Sequence, residues 1–353
     1  MPSDPPGPSS TRARARDLGI APGTLPAGPT NTLTDVPGVR VGHTTVDDGG
    51  DLHTGVTAVV PEAVDRPDGR LRAGLCVGNG FGKLIGATQL LELGEIETPV
   101  LLTGTLSAFR VADALVTHMI GMPGAHHVRT LNPVVGETND GFLSDIRRRP
   151  VTEDHVLAAI RSAGSGPVAE GCVGAGTGTV ALGFKGGIGS ASRVVELGGV
   201  GLTTLGVLVQ TNFSGTLTVL GVPVPADEVL AHPTPHPDGN SCMVVVAVDA
   251  PLDGRQLGRL ARRAVFGLAR VGSDYATGSG DYAVALATST EPSQVRDEDL
   301  DPLFRAALEA VEEAVLNSLF RAHTTRGHHG HVSHEVPLEV VVERCRRAGV
   351  LSR

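Results

Sequence analysis

One segment of this 353-residue chain combines residue types that could carry covalent chemistry: H-P-D-G-N-S-C-M-V-V-V-A-V-D-A-P-L, from His236 to Leu252. Ser241 stands where a polar, Pro-rich connection meets a β-branched strand pattern. A serine hydroxyl is a weak nucleophile at neutral pH until a base takes its proton. No G-x-S-x-G elbow surrounds any serine, so the histidine-assisted arrangement lacks its marker. A cut between Asn240 and Ser241 would give Ser241 a free α-amine with a pKa of about 8, suited to general-base work near neutrality. One residue would then supply nucleophile and base. Gly239 would help the chain bend as self-cleavage requires. Taken alone, the segment reads better as a loop ending at an ordinary strand.

Other motifs weaken on inspection. V-G-N-G-F-G-K-L-I-G (Val77 to Gly86) has Leu84 after Lys83, where a phosphate loop needs Ser or Thr for the metal. G-A-G-T-G-T (Gly174 to Thr179) has the wrong spacing for a dinucleotide fingerprint, and no helix pattern follows it. Tight backbone packing is the expected use of both. His323, His328, His329, His331 and His334 crowd a Gly- and Thr-containing stretch that reads as a surface or lid loop, and no metal is expected there. Cys76, Cys172, Cys242 and Cys345 stand far apart, without the C-x-x-C pair of a zinc or redox site and without a disulfide framework.

The elements that must position Ser241 follow from periodicity. Strand patterns at Val39 to Val46, Gly55 to Val60, Leu71 to Val77 and Pro99 to Thr103 are interleaved with helix patterns at Lys83 to Leu93 and Leu106 to Ile120. After a helix pattern at Glu153 to Ala163, the glycine-punctuated stretches Val168 to Val195 and Val200 to Val222 suit adjacent antiparallel strands. Ala226 to Asn240 reads as an exposed connection. Then come strand Ser241 to Val248, helix Gln256 to Ala269, strand Asp281 to Thr288 and helix Pro302 to Ala322, which would lay two helices on one face of a sheet. A short helix is expected at Val336 to Ala348.

Residues 1 to about 30 form a Pro-, Gly-, Ser- and Arg-rich leader expected to be mobile, with order beginning near Leu33. The remainder, 31–353, reads as one catalytic domain. Basic residues number 29 against 38 acidic, a formal charge of −9, and lysine occurs only at 83 and 185. That balance disfavours nucleic acid as a partner. The Arg-rich stretch Arg255 to Arg270 reads as the wet face of a helix. No apolar run reaches the roughly 18 residues of a membrane span, and Met1 to Gly19 lacks a signal-peptide core, so a soluble, cytoplasmic protein is expected. Glycine, at 47 residues, falls inside apolar segments, which suggests closely approaching backbones.

The ordered motifs resemble the L-aminopeptidase/D-Ala-esterase/amidase family, which includes the β-peptidyl aminopeptidases. They are T-D-V-P-G-V-R-V-G-H-T-T (Thr34 to Thr45), G-N-G-F-G-K-L (Gly78 to Leu84), V-G-E-T-N-D-G (Val135 to Gly141) and V-A-E-G-C-V-G-A-G-T-G (Val168 to Gly178). F-K-G-G-I-G-S-A-S-R (Phe184 to Arg193), V-Q-T-N-F (Val209 to Phe213), the Asn240–Ser241 junction and G-S-G-D (Gly278 to Asp281) complete the series. The resemblance implies an α+β, four-layer αββα sandwich like that of N-terminal nucleophile hydrolases, shared with ornithine acetyltransferase-type proteins. It also implies a precursor that cuts itself into an α chain, 1–240, and a β chain, 241–353.

Carried over residue by residue, the resemblance makes Ser241 the nucleophile, Asn212 the side-chain oxyanion donor, and Ser279 with Asp281 the pair that orients the nucleophile and balances the amine's proton. Glu137 would hold the substrate's ammonium. Asn139 stands where some relatives carry Tyr as a further oxyanion donor, and Asp281 is one methylene shorter than the Glu of some relatives. The implied substrate is a small peptide, amide or ester with a free amino end. No cofactor is implied, and a homo-oligomer of αβ units, tetrameric or larger, is. Two alternatives are an acyltransferase on the same fold, delivering the acyl group to an amine instead of water, and a non-catalytic relative using its histidine-rich loop to hold metal.

Overall fold

The computed structural model describes residues 12–232, 241–292 and 295–352. A hairpin of β1 (Val39–Asp47) and β2 (His53–Pro61) leads into β3 (Leu71–Gly80), β4 (Leu84–Ile85), α1 (Ala87–Leu93), β5 (Glu95–Ile96) and β6 (Val100–Gly104). Helix α2 (Ala108–Ile120), strand β7 (Val134–Thr138) and helix α3 (Glu153–Arg161) follow. Short strands β8 (Val180–Ala181) and β9 (Phe184–Lys185) precede the long antiparallel pair β10 (Ile188–Leu197) and β11 (Gly201–Asn212). After β12 (Thr218–Val219), β13 (Val222–Pro223) and α4 (Ala226–Val229) come β14 (Ser241–Val248), α5 (Gly254–Arg270), β15 (Gly280–Ala287) and α6 (Asp301–Phe320). A small hairpin, β16 (Thr325–Arg326) and β17 (Val332–Ser333), and helix α7 (Leu338–Arg347) close the chain.

Two mixed sheets form, one in the order β1-β2-β6-β7-β4 and one in the order β10-β11-β14-β15-β3-β5. Strand β14 is buried at every position, because its β-branched side chains have apolar layers on both faces. Its odd residues Met243, Val245 and Ala247 meet the first sheet, and its even residues Val244, Val246 and Val248 meet α5 and α6. Helices α2 and α3 cover the far side of the first sheet through Val111, Leu115, Val156 and Ile160. The layers are therefore αββα, as expected. The sheets come close enough that a Cβ on Gly136 would lie 2.8 Å from Met243 Sδ.

The two helices expected on one sheet face are α5 and α6, flanking the parallel pair β14 and β15. Helix α5 begins with a reciprocal cap: Gln256 N–H donates to Asp253 Oδ1 at 2.7 Å, and Asp253 N–H donates to Gln256 Oε1 at 3.1 Å. Its arginines lie on the wet side, where Arg255 and Arg259 pair with Asp297. One expected helix is shortened. Gly86, with φ of 88°, breaks Lys83–Leu93 into a two-residue strand and a helix that starts only at Ala87.

The onset of order also needs correction. Arg12 to Thr30 is packed: Ala15 and Ile20 are completely buried, Arg14 pairs with Glu170 and Arg16 with Glu313. Two arginines of this stretch are ion-paired to carboxylates distant in the chain. Residues 1–11 and the connection 233–240, which holds Asn240, lie outside the described residues.

Candidate active site

Ser241 opens β14 and is only 3% exposed. Its antiparallel partner across the ladder is Asn212, the last residue of β11, and its parallel partner on the other side is Gly280, the first residue of β15. Residues opposed across strands project from the same face, so Ser241 and Asn212 both face the first sheet. Asn212 Oδ1 accepts a 2.9 Å hydrogen bond from Val180 N–H, which fixes the orientation of the amide. Two residues earlier, Gln210 Nε2 donates to Thr103 O, Thr138 Oγ1 and Ala175 O, tying the sheets together beside the site.

Ser279 and Asp281 are buried on the other flank, with Ser279 Oγ donating to Asp281 Oδ1 at 2.9 Å. Asp281 is opposite Cys242 in the ladder, so this pair lies on the helix-covered face and not on the face of the Ser241 side chain. Asn79 Nδ2 braces the turn, donating to Ala276 O and Ser279 O, both at 2.7 Å. Burial pushes the Asp281 carboxyl up to about 6, opposed by the Ser279 hydrogen bond and assisted by Asp274. Its Oδ2 is buried with no hydrogen-bond partner among the described residues.

The facing sheet supplies the opposite wall. Glu137, near the end of β7, is 2% exposed; its Oε1 accepts from Lys83 N–H at 2.9 Å and lies 3.2 Å from Lys83 Nζ. Lys83 Nζ also donates to Thr105 Oγ1 at 2.8 Å. Ser241, Glu137 and Asn139 share one cavity of about 330 Å3 with Phe81, Lys83 and Thr105. Asn139 Oδ1 is engaged by Gly141 N–H at 2.9 Å, which leaves its amide nitrogen as the end a ligand could use. Phe81 is 66% exposed and gives the mouth an apolar side. A larger depression of about 630 Å3, lined by Glu62, Arg66, Asp249 and Thr288 among others, lies at the far end of β14 and contains none of the expected residues.

Ser241, Glu137 and Asn139 thus meet in one cavity, Asn212 adjoins Ser241, and Ser279 with Asp281 sit across the strand. Sequence reasoning gave Lys83 no role, although its rarity was a signal: it is one of only two lysines in the chain. The histidine-rich segment lies elsewhere, with His331 stacked on Phe142 at 4.4 Å and His328 Nδ1 3.1 Å from Asp51. Among the described residues, no group of three or more His, Cys, Asp and Glu side chains is arranged to hold a metal ion. No helix of the described residues is long and apolar enough to cross a membrane.

Residues 31–333 match Peptidase family S58. This chain belongs to that family. A β-peptidyl aminopeptidase, BapA of Sphingosinicella microcystinivorans, is 38% identical, with 96% of this chain and 94% of the relative aligned. Among solved structures, a β-aminopeptidase of a Burkholderia species superimposes with a TM-score of 0.87 at 40% identity, covering 96% of this chain and 99% of the other. The L-aminopeptidase D-Ala-esterase/amidase of Ochrobactrum anthropi, described as a prototype of the serine aminopeptidases and a variant of the Ntn hydrolase fold, gives 0.89 at 36% identity, with 96% and 99% covered. The S58 chain described here is accordingly a hydrolase of the aminopeptidase type on that fold.

Proposed function

We propose that this S58 peptidase cuts its own chain between Asn240 and Ser241, and that the freed Ser241 releases amino-terminal residues from small peptides, amides or esters. The α-amine takes the hydroxyl proton as Oγ attacks the carbonyl carbon. The Asn212 amide stabilises the oxyanion, the departing amine takes the proton back, and an acyl-enzyme remains. Water, deprotonated by the same amine, attacks it and frees the acid. Glu137 holds the substrate's ammonium and so selects free amino ends. Asn139 offers Nδ2 as a further donor to the carbonyl.

The observation that carries this reading is that Ser241 and Glu137, from opposed sheets, line one cavity with Asn212 in register beside the serine. Ser279 and Asp281, with Asp281 opposite Cys242 in the ladder, flank the start of the strand, and in this reading they hold the α-amine's proton balance. The working form in this reading is a cytoplasmic homo-oligomer of αβ units.

On a denaturing gel the protein should run as fragments of 240 and 113 residues, and Ser241→Ala as one inactive full-length chain. Active material that is entirely uncut would refute the proposal. Adding amine acceptors to the assay separates hydrolysis from acyl transfer.

A further inference from the structure

The cavity that holds Ser241 is lined by two ionisable side chains of opposite type, Glu137 from β7 and Lys83 from the turn between β3 and β4. Lys83 Nζ lies 3.2 Å from Glu137 Oε1 and donates to Thr105 Oγ1 at 2.8 Å. The Lys83 backbone N–H goes to the same Oε1 at 2.9 Å, so turn, carboxyl group and ammonium are held as one unit. An ammonium carries three N–H donors. With Glu137 and Thr105 engaged, one donor is left over, and the Lys83 side chain, 34% exposed, keeps it within reach of a ligand.

If Glu137 takes the substrate's ammonium, a substrate that brings only that charge leaves two cations to share one carboxylate, since the Ser241 amine works as a neutral base. Like charges brought together on binding disfavour a complex, and complementary ones select it. A carboxylate on the substrate restores the balance. Because Nζ and Oε1 are only 3.2 Å apart, the substrate's ammonium and carboxylate must themselves be neighbours, as they are on the α-carbon of an amino acid. The amide to be cut then hangs from the side chain of that amino acid and not from its α-carboxyl.

We propose, resting on that role of Glu137, that Lys83 is a specificity-determining residue that reads a free α-carboxylate, and that the site takes side-chain-linked amides of an acidic amino acid, with β-aspartyl amides and peptides the shortest. Ser241 Oγ attacks the side-chain carbonyl, the amine leaves with a proton, and water frees aspartate from the acyl-enzyme. A cationic group in the place of the α-carboxylate meets the Lys83 ammonium and is rejected.

Two substrates that differ in one group test the assignment: L-β-aspartyl p-nitroanilide, and 3-aminobutanoyl p-nitroanilide, which has a methyl where the first has its α-carboxylate. Wild-type kcat/KM should favour the aspartyl compound by about tenfold or more, the effect of one charge-assisted hydrogen bond. Lys83→Met should erase that preference, and Lys83→Arg should keep part of it. A wild type that favours the methyl compound, or a Lys83→Met protein that loses rate equally on both, as a lysine that only braces Glu137 would give, overturns the proposal. Chain cleavage is verified for each variant, and if a variant does not fold the wild-type ratio still decides. Calorimetric binding of L-aspartate and 3-aminobutanoate to the wild-type protein reads Lys83 without turnover. Tighter binding of aspartate, with neither p-nitroanilide turned over, overturns the role of Ser241 and leaves that of Lys83 standing; equal binding of the two acids overturns Lys83.

Discussion

Ser241 stands directly opposite Asn212 in the antiparallel register of β11 and β14, with the Asn212 amide orientation set by Val180 N–H. A donor held this way costs no reorganisation when charge develops on the substrate oxygen. Asn212→Ala should therefore lower kcat by about 10²–10³-fold with a much smaller change in KM. Steady-state kinetics on an amino-acyl p-nitroanilide, using protein whose chain cleavage has been verified, makes the measurement.

Glu137 should govern the binding of the substrate's amino end. Oε1 of Glu137 already receives the Lys83 N–H and faces Nζ, so the carboxyl group is positioned before a substrate ammonium arrives. Glu137→Gln keeps the shape and removes the charge; the loss of one charge-assisted hydrogen bond, about 1.5–3 kcal/mol, should lower kcat/KM by about 10–150-fold. N-acetylating the substrate should abolish turnover in the wild type, and the same assay reads both effects.

Arg193 is the structural keystone of the packed N-terminal segment. Fully buried, it donates to Glu313 Oε2 at 2.7 Å and Pro22 O at 2.9 Å, and Glu313 also pairs with Arg16. Removing Arg193 leaves the buried Glu313 with only the partly exposed Arg16 as its cationic partner. Arg193→Met should destabilise the fold by about 3–5 kcal/mol, seen as a lower urea midpoint, and should make Arg12 to Thr30 more sensitive to protease.

What was legible in the sequence were features encoded locally. The β-branched run after Ser241, the helical period of α5 and α6 and the turn residues around them fixed four elements and their layering within a residue or two. Ser241 stood out because a polar connection meets that run. The roles of Asn212, Ser279, Asp281 and Glu137 came from resemblance, since each is an ordinary loop or strand-end residue until the sheets are assembled. Long-range charge was illegible: the leader was expected to be mobile because Glu170 and Glu313, the partners of Arg14 and Arg16, are far away in the chain.

Asp281 gives the site its own pH signature. Burial raises its carboxyl to about 6 from an ordinary 3.8, and only the ionised form is a pure acceptor for the Ser279 hydroxyl. If the pair steadies the Ser241 amine, kcat/KM should rise with pH through an apparent pKa near 6, and Asp281→Asn should lose that limb as well as rate. The stability effect has the opposite sign. The folded state holds this proton more tightly than the unfolded chain, so Asp281 lowers stability as pH rises from about 4 to about 6, and the cost persists above that. Asp281→Asn should therefore gain Tm relative to wild type between pH 4 and pH 7 while losing activity. Parallel thermal melts and pH–rate profiles on the two proteins separate this from a general loss of packing, which would lower Tm at every pH.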